Sequence, residues 1–257
     1  MNAPFSRPLS DAGPARRTLI LALPKGRILD ELAPLLSGAG IHPAADYADE
    51  NSRRLRFETN HPGLDVVRVR PFDVATFVAF GAADLGVVGS DVLMEHDYDG
   101  LYAPLDLRLG RCRLSVAEPR ESAPGDDPSR WSFVRVATKY ANVARRHFAA
   151  RGVQAEIVHL NGAVELAPTL GLSRLILDLV QTGSTLRANG LVEVEHVADV
   201  SSRLIVNRAA LKTRPEEIGA WIARFRESVD SGVARNNDEG VAGNIDAGVA
   251  NAGAVTP

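Results

Sequence analysis

Leu175-Ile176-Leu177-Asp178-Leu179-Val180-Gln181-Thr182-Gly183-Ser184-Thr185-Leu186 is an apolar run that ends in a turn of small, hydroxylated residues. An unbroken series of Leu, Ile and Val, interrupted only by Asp178, suits a strand covered on both faces, as in a parallel sheet. The Thr-Gly-Ser-Thr turn then opens a short helix that Gly190 closes. Backbone N–H groups and hydroxyls gathered at such a turn suit an anion, which makes residues 182–185 a candidate phosphate cradle. Asp178, near the carboxyl end of the strand, is placed to accept hydrogen bonds from vicinal ribose hydroxyls while the turn holds a 5′-phosphate. As a bare tetrapeptide the turn reads more plainly as a helix cap after a strand.

The same alternation extends in both directions. Upstream, residues 134–137 read as a strand, 141–151 as a helix with Gly152 at its end, 155–160 as a strand and 165–170 as a helix. Nearer the N-terminus, the strand 19–23 leads into Pro24-Lys25-Gly26-Arg27 and a helix over 28–39 that Gly40 ends, with Pro34 marking a kink or an early stop. Strands over 54–58 and 64–69, a helix about 74–80 and a buried strand 85–88 follow. Residues 105–117 read as one long extended segment, and 118–130, rich in Pro, Asp, Ser and Gly, as a surface loop. After the candidate cradle come extended segments 191–197 and 203–207, then an amphipathic helix over 216–229 with Ile218, Trp221, Ile222 and Phe225 on one face. This order predicts an α/β fold with mainly parallel sheets, whose ligands bind at the carboxyl ends of the strands.

The bulk composition narrows the function classes. A net charge of −3 over 257 residues offers no blanket attraction for nucleic acid or an anionic membrane, so phosphate binding has to be local. The single cysteine, Cys112, excludes an intramolecular disulfide and a cysteine metal cluster, and its apolar surroundings read as a buried strand in a reducing compartment. Residues 1–17 lack the apolar core of a signal peptide and no run is long enough to span a bilayer, so a cytoplasmic location is expected. The Gly-, Ala- and Asn-rich residues 231–257 are expected to be disordered, like 1–17.

Several cations stand where strands end. Lys25 and Arg27 flank Gly26, whose lack of a side chain permits close approach to a polyphosphate; a solvated basic turn is the plainer reading. Arg70 and Asp73 occupy an Arg-x-x-Asp element, suited either to phosphate recognition by the guanidinium fork or to an ion pair across a helix start. Among the small residues 81–91, Asp84 reads as structural and Asp91 stays open. Lys139 closes the strand 134–137 beside the same crevice and is a candidate phosphate ligand. The six histidines show no metal-ligand spacing, so an Mg²⁺ carried by polyphosphate oxygens is the expected ion, with no ligand set from the chain itself.

The run from Glu165 to Leu186 resembles the pattern of the ATP phosphoribosyltransferases: a glutamate, a glycine, an aspartate and then Thr-Gly-x-Thr-Leu at fixed intervals. The resemblance spans roughly residues 19–212 and includes Leu23-Pro24-Lys25-Gly26-Arg27, Gly81 to Asp91, Arg135-Val136-Ala137-Thr138-Lys139-Tyr140 and Asn161 to Pro168. It implies two α/β lobes resembling type II periplasmic binding proteins, with the active site in the cleft between them. The first lobe would hold residues 18–104 plus 191–230, and the second 105–190. It also implies the short form, without a carboxyl-terminal regulatory domain: a dimer assembling with a subunit similar to histidyl-tRNA synthetase that senses histidine.

The activity implied is attack of adenine N1 of ATP on C1 of 5-phosphoribosyl 1-diphosphate, displacing pyrophosphate and opening histidine biosynthesis. N1 already carries a free lone pair, so the protein's tasks are alignment and charge stabilisation. By resemblance Arg27 and Arg53 or Arg54 act on the departing pyrophosphate, the motif not separating the last two. Glu165, Asp178, Thr182, Gly183, Ser184 and Thr185 hold the phosphoribosyl group, and Lys25, Gly26, Arg70, Asp73 and Lys139 meet ATP. A solute-binding protein without catalysis, and a phosphoribosyltransferase acting on another base, are the competing readings.

Overall fold

A computed structural model of the chain describes residues 17–26, 28–49, 52–122 and 130–232. Arg27 and the two terminal stretches expected to be disordered, apart from Arg17, Ser231 and Gly232, lie outside the described residues. The first strand, β1 (Leu19–Pro24), is buried along its whole length, as its unbroken apolar sequence requires. Its side chains alternate between two cores. Leu19, Leu21 and Leu23 face α1 (Ile28–Gly38) and α8 (Pro215–Asp230), whereas Ile20 and Ala22 face α2 (Pro71–Ala79). β1 runs parallel to β3 (Leu64–Val69) and to β4 (Leu85–Gly89). β2 (Arg56–Glu58), β11 (Ser202–Asn207) and β5 (Leu101–Asp106) complete a six-stranded sheet of order β2-β3-β1-β4-β11-β5.

The second sheet has five strands in the order β10-β6-β9-β7-β8. β7 (Phe133–Thr138) lies parallel to both β8 (Gln154–His159) and β9 (Leu175–Val180), while β6 (Cys112–Pro119) runs antiparallel to β9 and to β10 (Leu191–Val200). Trp131, Val134, Val136, Phe148 and Leu177 form the core under α4 (Ala141–Ala149). Ala137, Ile176, Val180 and Leu186 form that under α5 (Leu166–Thr169) and α6 (Ser184–Ala188).

Several expected boundaries are corrected. The extended segment 105–117 is two strands in different sheets, β5 and β6, separated by Arg108 and Gly110, each at φ 60°. The first lobe therefore keeps Leu105 and Asp106. The expected return to that lobe at Leu191 is also displaced, because β10 pairs with β6 through Val200 and only β11 joins the first sheet. The reason is local: residues 191–207 are extended almost without interruption, and nothing in their composition marks Ser201 as the crossing. There Ser90 N–H donates to Ser201 O at 2.9 Å, and Leu107 N–H and Leu109 O each bond Ser202 main chain at 2.9 Å, binding the two crossing segments together.

Pro34 neither stops nor shortens α1, which runs on to Gly38. Two short helices have no counterpart in the sequence reading. These are α3 (Ser90–His96), which ends at Asp97 in the left-handed conformation, and α7 (Arg208–Thr213), capped by the Asn207 side chain.

Candidate active site

The carboxyl ends of the parallel strands of both sheets meet at one junction. In the first sheet Pro24 and Val69 are in register, and Lys25 N–H donates to Val69 O at 2.8 Å, so Lys25 and Arg70 emerge side by side. In the second, Thr138 and Leu177 are in register, so Lys139 and Asp178 emerge side by side. Phe72, two residues after Arg70, joins these edges: its ring lies 5.6 Å from that of Tyr140 and 5.5 Å from Lys139 Nζ.

A cavity of about 240 Å³ opens at the second of these edges, lined by Cys112, Glu165 and the whole stretch from Asp178 to Leu186. The strand–turn–helix reading of that stretch is what the structure has, β9 giving way to α6 through Gly183 at φ 71°. Only glycine adopts that left-handed angle without steric cost. The Thr182 and Ser184 hydroxyls lie 3.0 Å apart across the turn, and Arg187 Nη1 donates to Thr182 O at 3.0 Å. Lys139 Nζ stands 3.8 Å from Asp178 Oδ1, which also accepts the Leu179 N–H at 2.8 Å. Burial pushes the Asp178 carboxyl above the usual carboxylate range, against the opposing pull of Lys139; Glu165 and Asp91 add to the upward push. The cavity therefore combines a hydroxyl-rich turn with a half-buried carboxylate, and an ammonium group stands against that carboxylate.

The structure brings Glu165, Asp178, Thr182, Gly183, Ser184 and Thr185 into one cavity, with Lys139 against it. Lys25, Gly26, Arg53, Arg54, Arg70 and Asp73 belong to the first lobe and do not line it. Arg54 is held by Asp46 at 3.1 Å and lies 5.5 Å from the Phe57 ring centroid, while Arg53 makes no ion pair among the described residues. Arg70 and Asp73 form no salt bridge with each other; Pro71 starts α2 between them and only the Asp73 N–H reaches back, to Arg70 O at 2.9 Å. Asp84 is structural: it is buried and accepts from Ile20 N–H and Arg17. Among the described residues no group of three or more His, Cys, Asp or Glu is placed to hold a metal.

Other residues were not singled out by sequence. Arg68, buried on β3, donates to the carbonyls of Tyr47, Asp49 and Ser52 and thereby shapes the loop that carries Arg53. Its signal was a charge at an inward position of an alternating strand. Cys112, read as buried, is half-buried and lines the cavity. Arg113 on β6 donates to Gln181 O at 3.2 Å, at the entrance of the turn, and is itself held by Glu193.

A two-lobed α/β protein with a glycine-opened, hydroxyl-rich turn and a half-buried carboxylate at its inter-lobe edge has the form of a ligand-binding protein or a transferase. Comparison with known proteins narrows this. The family model HisG: ATP phosphoribosyltransferase matches residues 70–227. An ATP phosphoribosyltransferase of Paramagnetospirillum magneticum is 67% identical over 210 residues, 82% of this chain and 96% of that protein. Another, of Rhodospirillum rubrum, is 60% identical over 224 residues, 87% of this chain and 99% of its own length. The chain belongs to the ATP phosphoribosyltransferase family. Among solved structures, the ATP phosphoribosyl transferase (HisG:HisZ) complex from Thermotoga maritima has a chain that aligns with a TM-score of 0.71 at 31% identity, covering 83% of this chain and 100% of that one. The periplasmic aliphatic sulphonate binding protein SsuA from Escherichia coli aligns with a TM-score of 0.55 at 13% identity, over 88% of this chain and 72% of that one. That likeness shows the fold alone: two lobes of the periplasmic binding protein type.

Proposed function

We propose that this chain joins ATP to 5-phosphoribosyl 1-diphosphate, giving N1-(5-phosphoribosyl)-ATP and pyrophosphate, the first step of histidine biosynthesis. The observation that carries the reading is the cavity uniting Glu165, Asp178 and the turn 182–185, with Lys139 at its edge, in a member of this family. Thr182, Gly183, Ser184 and Thr185 hold the 5′-phosphate, and Asp178 with Glu165 accepts the ribose hydroxyls. A partly desolvated carboxylate gains from those hydroxyl donors.

Adenine N1 attacks ribose C1 with its own lone pair as the C1–oxygen bond to pyrophosphate breaks. No side chain has to remove a proton for the attack. Charge gathers on the leaving diphosphate, and cations from the first lobe meet it: Arg27, and of the pair Arg53 and Arg54 the former, since Asp46 already holds Arg54. Lys25, Gly26, Arg70 and Asp73, at the facing strand ends, contact ATP, with Lys139 between the two substrates. A Mg²⁺ fits this donor set only as a passenger on polyphosphate oxygens, because the cavity offers just the two carboxylates of Asp178 and Glu165. When bound, it neutralises diphosphate charge.

The likeness to a chain of the HisG:HisZ complex supports a hetero-oligomer with a regulatory subunit; pairing of the catalytic chains as dimers is a further part of the proposal. Among the described residues no helix is long and apolar enough to cross a membrane; the cytoplasm is the location proposed for this biosynthetic step. The test is to mix the protein with ATP, 5-phosphoribosyl 1-diphosphate and Mg²⁺ and follow pyrophosphate release, with product identification by mass. No pyrophosphate would favour a solute-binding role, and a product without adenine would favour another acceptor base.

A further inference from the structure

Two carboxylates one helical turn apart on α3 reach from the first lobe into the second. Asp91 and Glu95 are 5% and 6% exposed, and neither lines the phosphoribosyl cavity. Their i, i+4 spacing puts both on one face of the helix. Asp91 Oδ2 accepts the Tyr140 hydroxyl at 2.6 Å. Glu95 accepts the Asn142 N–H on both oxygens at 3.0 Å, and its Oε2 accepts the Val143 N–H at 3.0 Å. The Asn142 side chain returns a bond to Glu95 O at 3.1 Å, and Arg146 donates to Met94 O.

The first turn of α4 has no cap of its own. Tyr140 stands at the cap position and its side chain makes no capping bond. The orphan N–H groups of a helix start need acceptors, and here a carboxylate from the other lobe supplies them. What this grip holds is the turn carrying Lys139. On one side of Lys139, the Thr138 hydroxyl donates to Leu177 O at 2.6 Å and accepts the Tyr140 N–H at 2.9 Å. On the other side are the bonds from α3. The Lys139 ammonium lies 5.0 Å from the Tyr140 ring centroid and 5.5 Å from that of Phe72, which confines it to the position 3.8 Å from Asp178.

We infer that Asp91 and Glu95 are positioning residues: by clasping Tyr140 and the start of α4, they fix where Lys139 stands against Asp178. An apolar contact would join the lobes without the desolvation cost of two buried carboxylates. Directional bonds define a position, and a misplacement of about 1 Å is costly at a reacting centre. The inference rests on the reading of Asp178 to Thr185 as the phosphoribosyl site.

The test is a set of double-mutant cycles in the full chain. Tyr140→Phe removes one hydroxyl and Glu95→Gln one charge, both without a change of shape, and each is combined with Lys139→Ala. Turnover and KM for each substrate are read from pyrophosphate release, with melting temperature alongside. Lys139→Ala should raise KM for phosphoribosyl diphosphate about 10-fold, the loss of one charge-assisted contact. Tyr140→Phe and Glu95→Gln should raise the same constant roughly 3- to 10-fold, and should add nothing on the Lys139→Ala background. Effects that multiply with Lys139→Ala, or variants that melt earlier with unchanged KM, would overturn the inference and leave a merely structural junction. Wild-type kinetics for Lys139→Ala would also overturn it, whereas the cavity reading is decided separately by substitution of Gly183. Should Glu95→Gln fail to fold, the Tyr140→Phe cycle alone decides.

Discussion

Gly183→Ala is the sharpest test of the phosphate turn. Gly183 sits at φ 71°, and a Cβ there would meet Arg187 Nη1 at 3.1 Å, the end of a flexible side chain, and Val180 Cγ1 at 3.9 Å. Space is therefore a minor obstacle and the backbone angle the main one. Holding an L-residue in the left-handed region costs roughly 1–2 kcal/mol. If the relaxed turn no longer cradles a phosphate, the binding-competent fraction falls by that energy, which raises the apparent Kd about 5- to 30-fold. Valine, stiff at χ1, should do worse. Calorimetric titration with 5-phosphoribosyl 1-diphosphate reads the change, and a thermal melt should shift little because the turn is largely exposed. An unchanged Kd in the alanine and valine variants would refute the assignment of this turn to the phosphate.

The remaining predictions concern charge and packing. Asp178→Asn should weaken phosphoribosyl diphosphate binding yet raise the melting temperature at neutral pH. Burial holds the Asp178 carboxyl above its unfolded value, so ionisation disfavours the fold as pH rises from about 4 through the raised pKa. The gain should vanish below about pH 4, where both states are protonated; a gain that grows on acidification would contradict the sign. Arg53→Ala should lower turnover by roughly 10- to 1000-fold with a smaller change in substrate affinity, and Arg54→Ala by much less; the reverse ranking in pyrophosphate release would exchange their roles. Gly86→Ala should destabilise the first lobe by about 1–3 kcal/mol in urea unfolding, because its Cβ would meet Val74 Cγ1 and Val78 Cγ2 at 2.8 Å.

The parts of the fold legible in the sequence were those that a single element encodes. β1, β9 and α8 each carry their own signal, an unbroken apolar run or a helical stripe, and the strand–turn–helix at Thr182 to Thr185 is complete within a dozen residues. Pairing between distant segments was not legible. Nothing in residues 101–117 or 191–207 states that the chain changes sheets at Arg108–Gly110 and at Ser201, because a strand entering either sheet has the same composition. The candidate site divides the same way. Glu165, Asp178 and the turn are neighbours in sequence and in space, whereas Asp91, Glu95 and Arg68 take their meaning from partners 49, 47 and 21 residues away. Asp91 in particular gave no hint at sequence level of the buried Tyr140 hydroxyl it accepts.

As a phosphoribosyl site, the proposed reading, the cavity has to meet two opposed electrostatic demands. A sugar phosphate presents an anion at one end, which wants donors and cations, and hydroxyl donors on the ribose, which want an acceptor. In the proposed function the turn 182–185 meets the first with hydroxyls and a glycine-opened backbone, and Asp178 the second. Left alone, a half-buried carboxylate so close would repel the phosphate or take up a proton and lose its acceptor strength. Lys139 eases the conflict, since its ammonium offsets part of the desolvation of Asp178 while adding positive charge beside the turn. Lys139 is in turn set between groups of both lobes, the Phe72 ring of the first and Tyr140 of the second, whose hydroxyl Asp91 of the first accepts, so on this reading the charge balance of the phosphoribosyl cavity depends on how the first lobe packs against it.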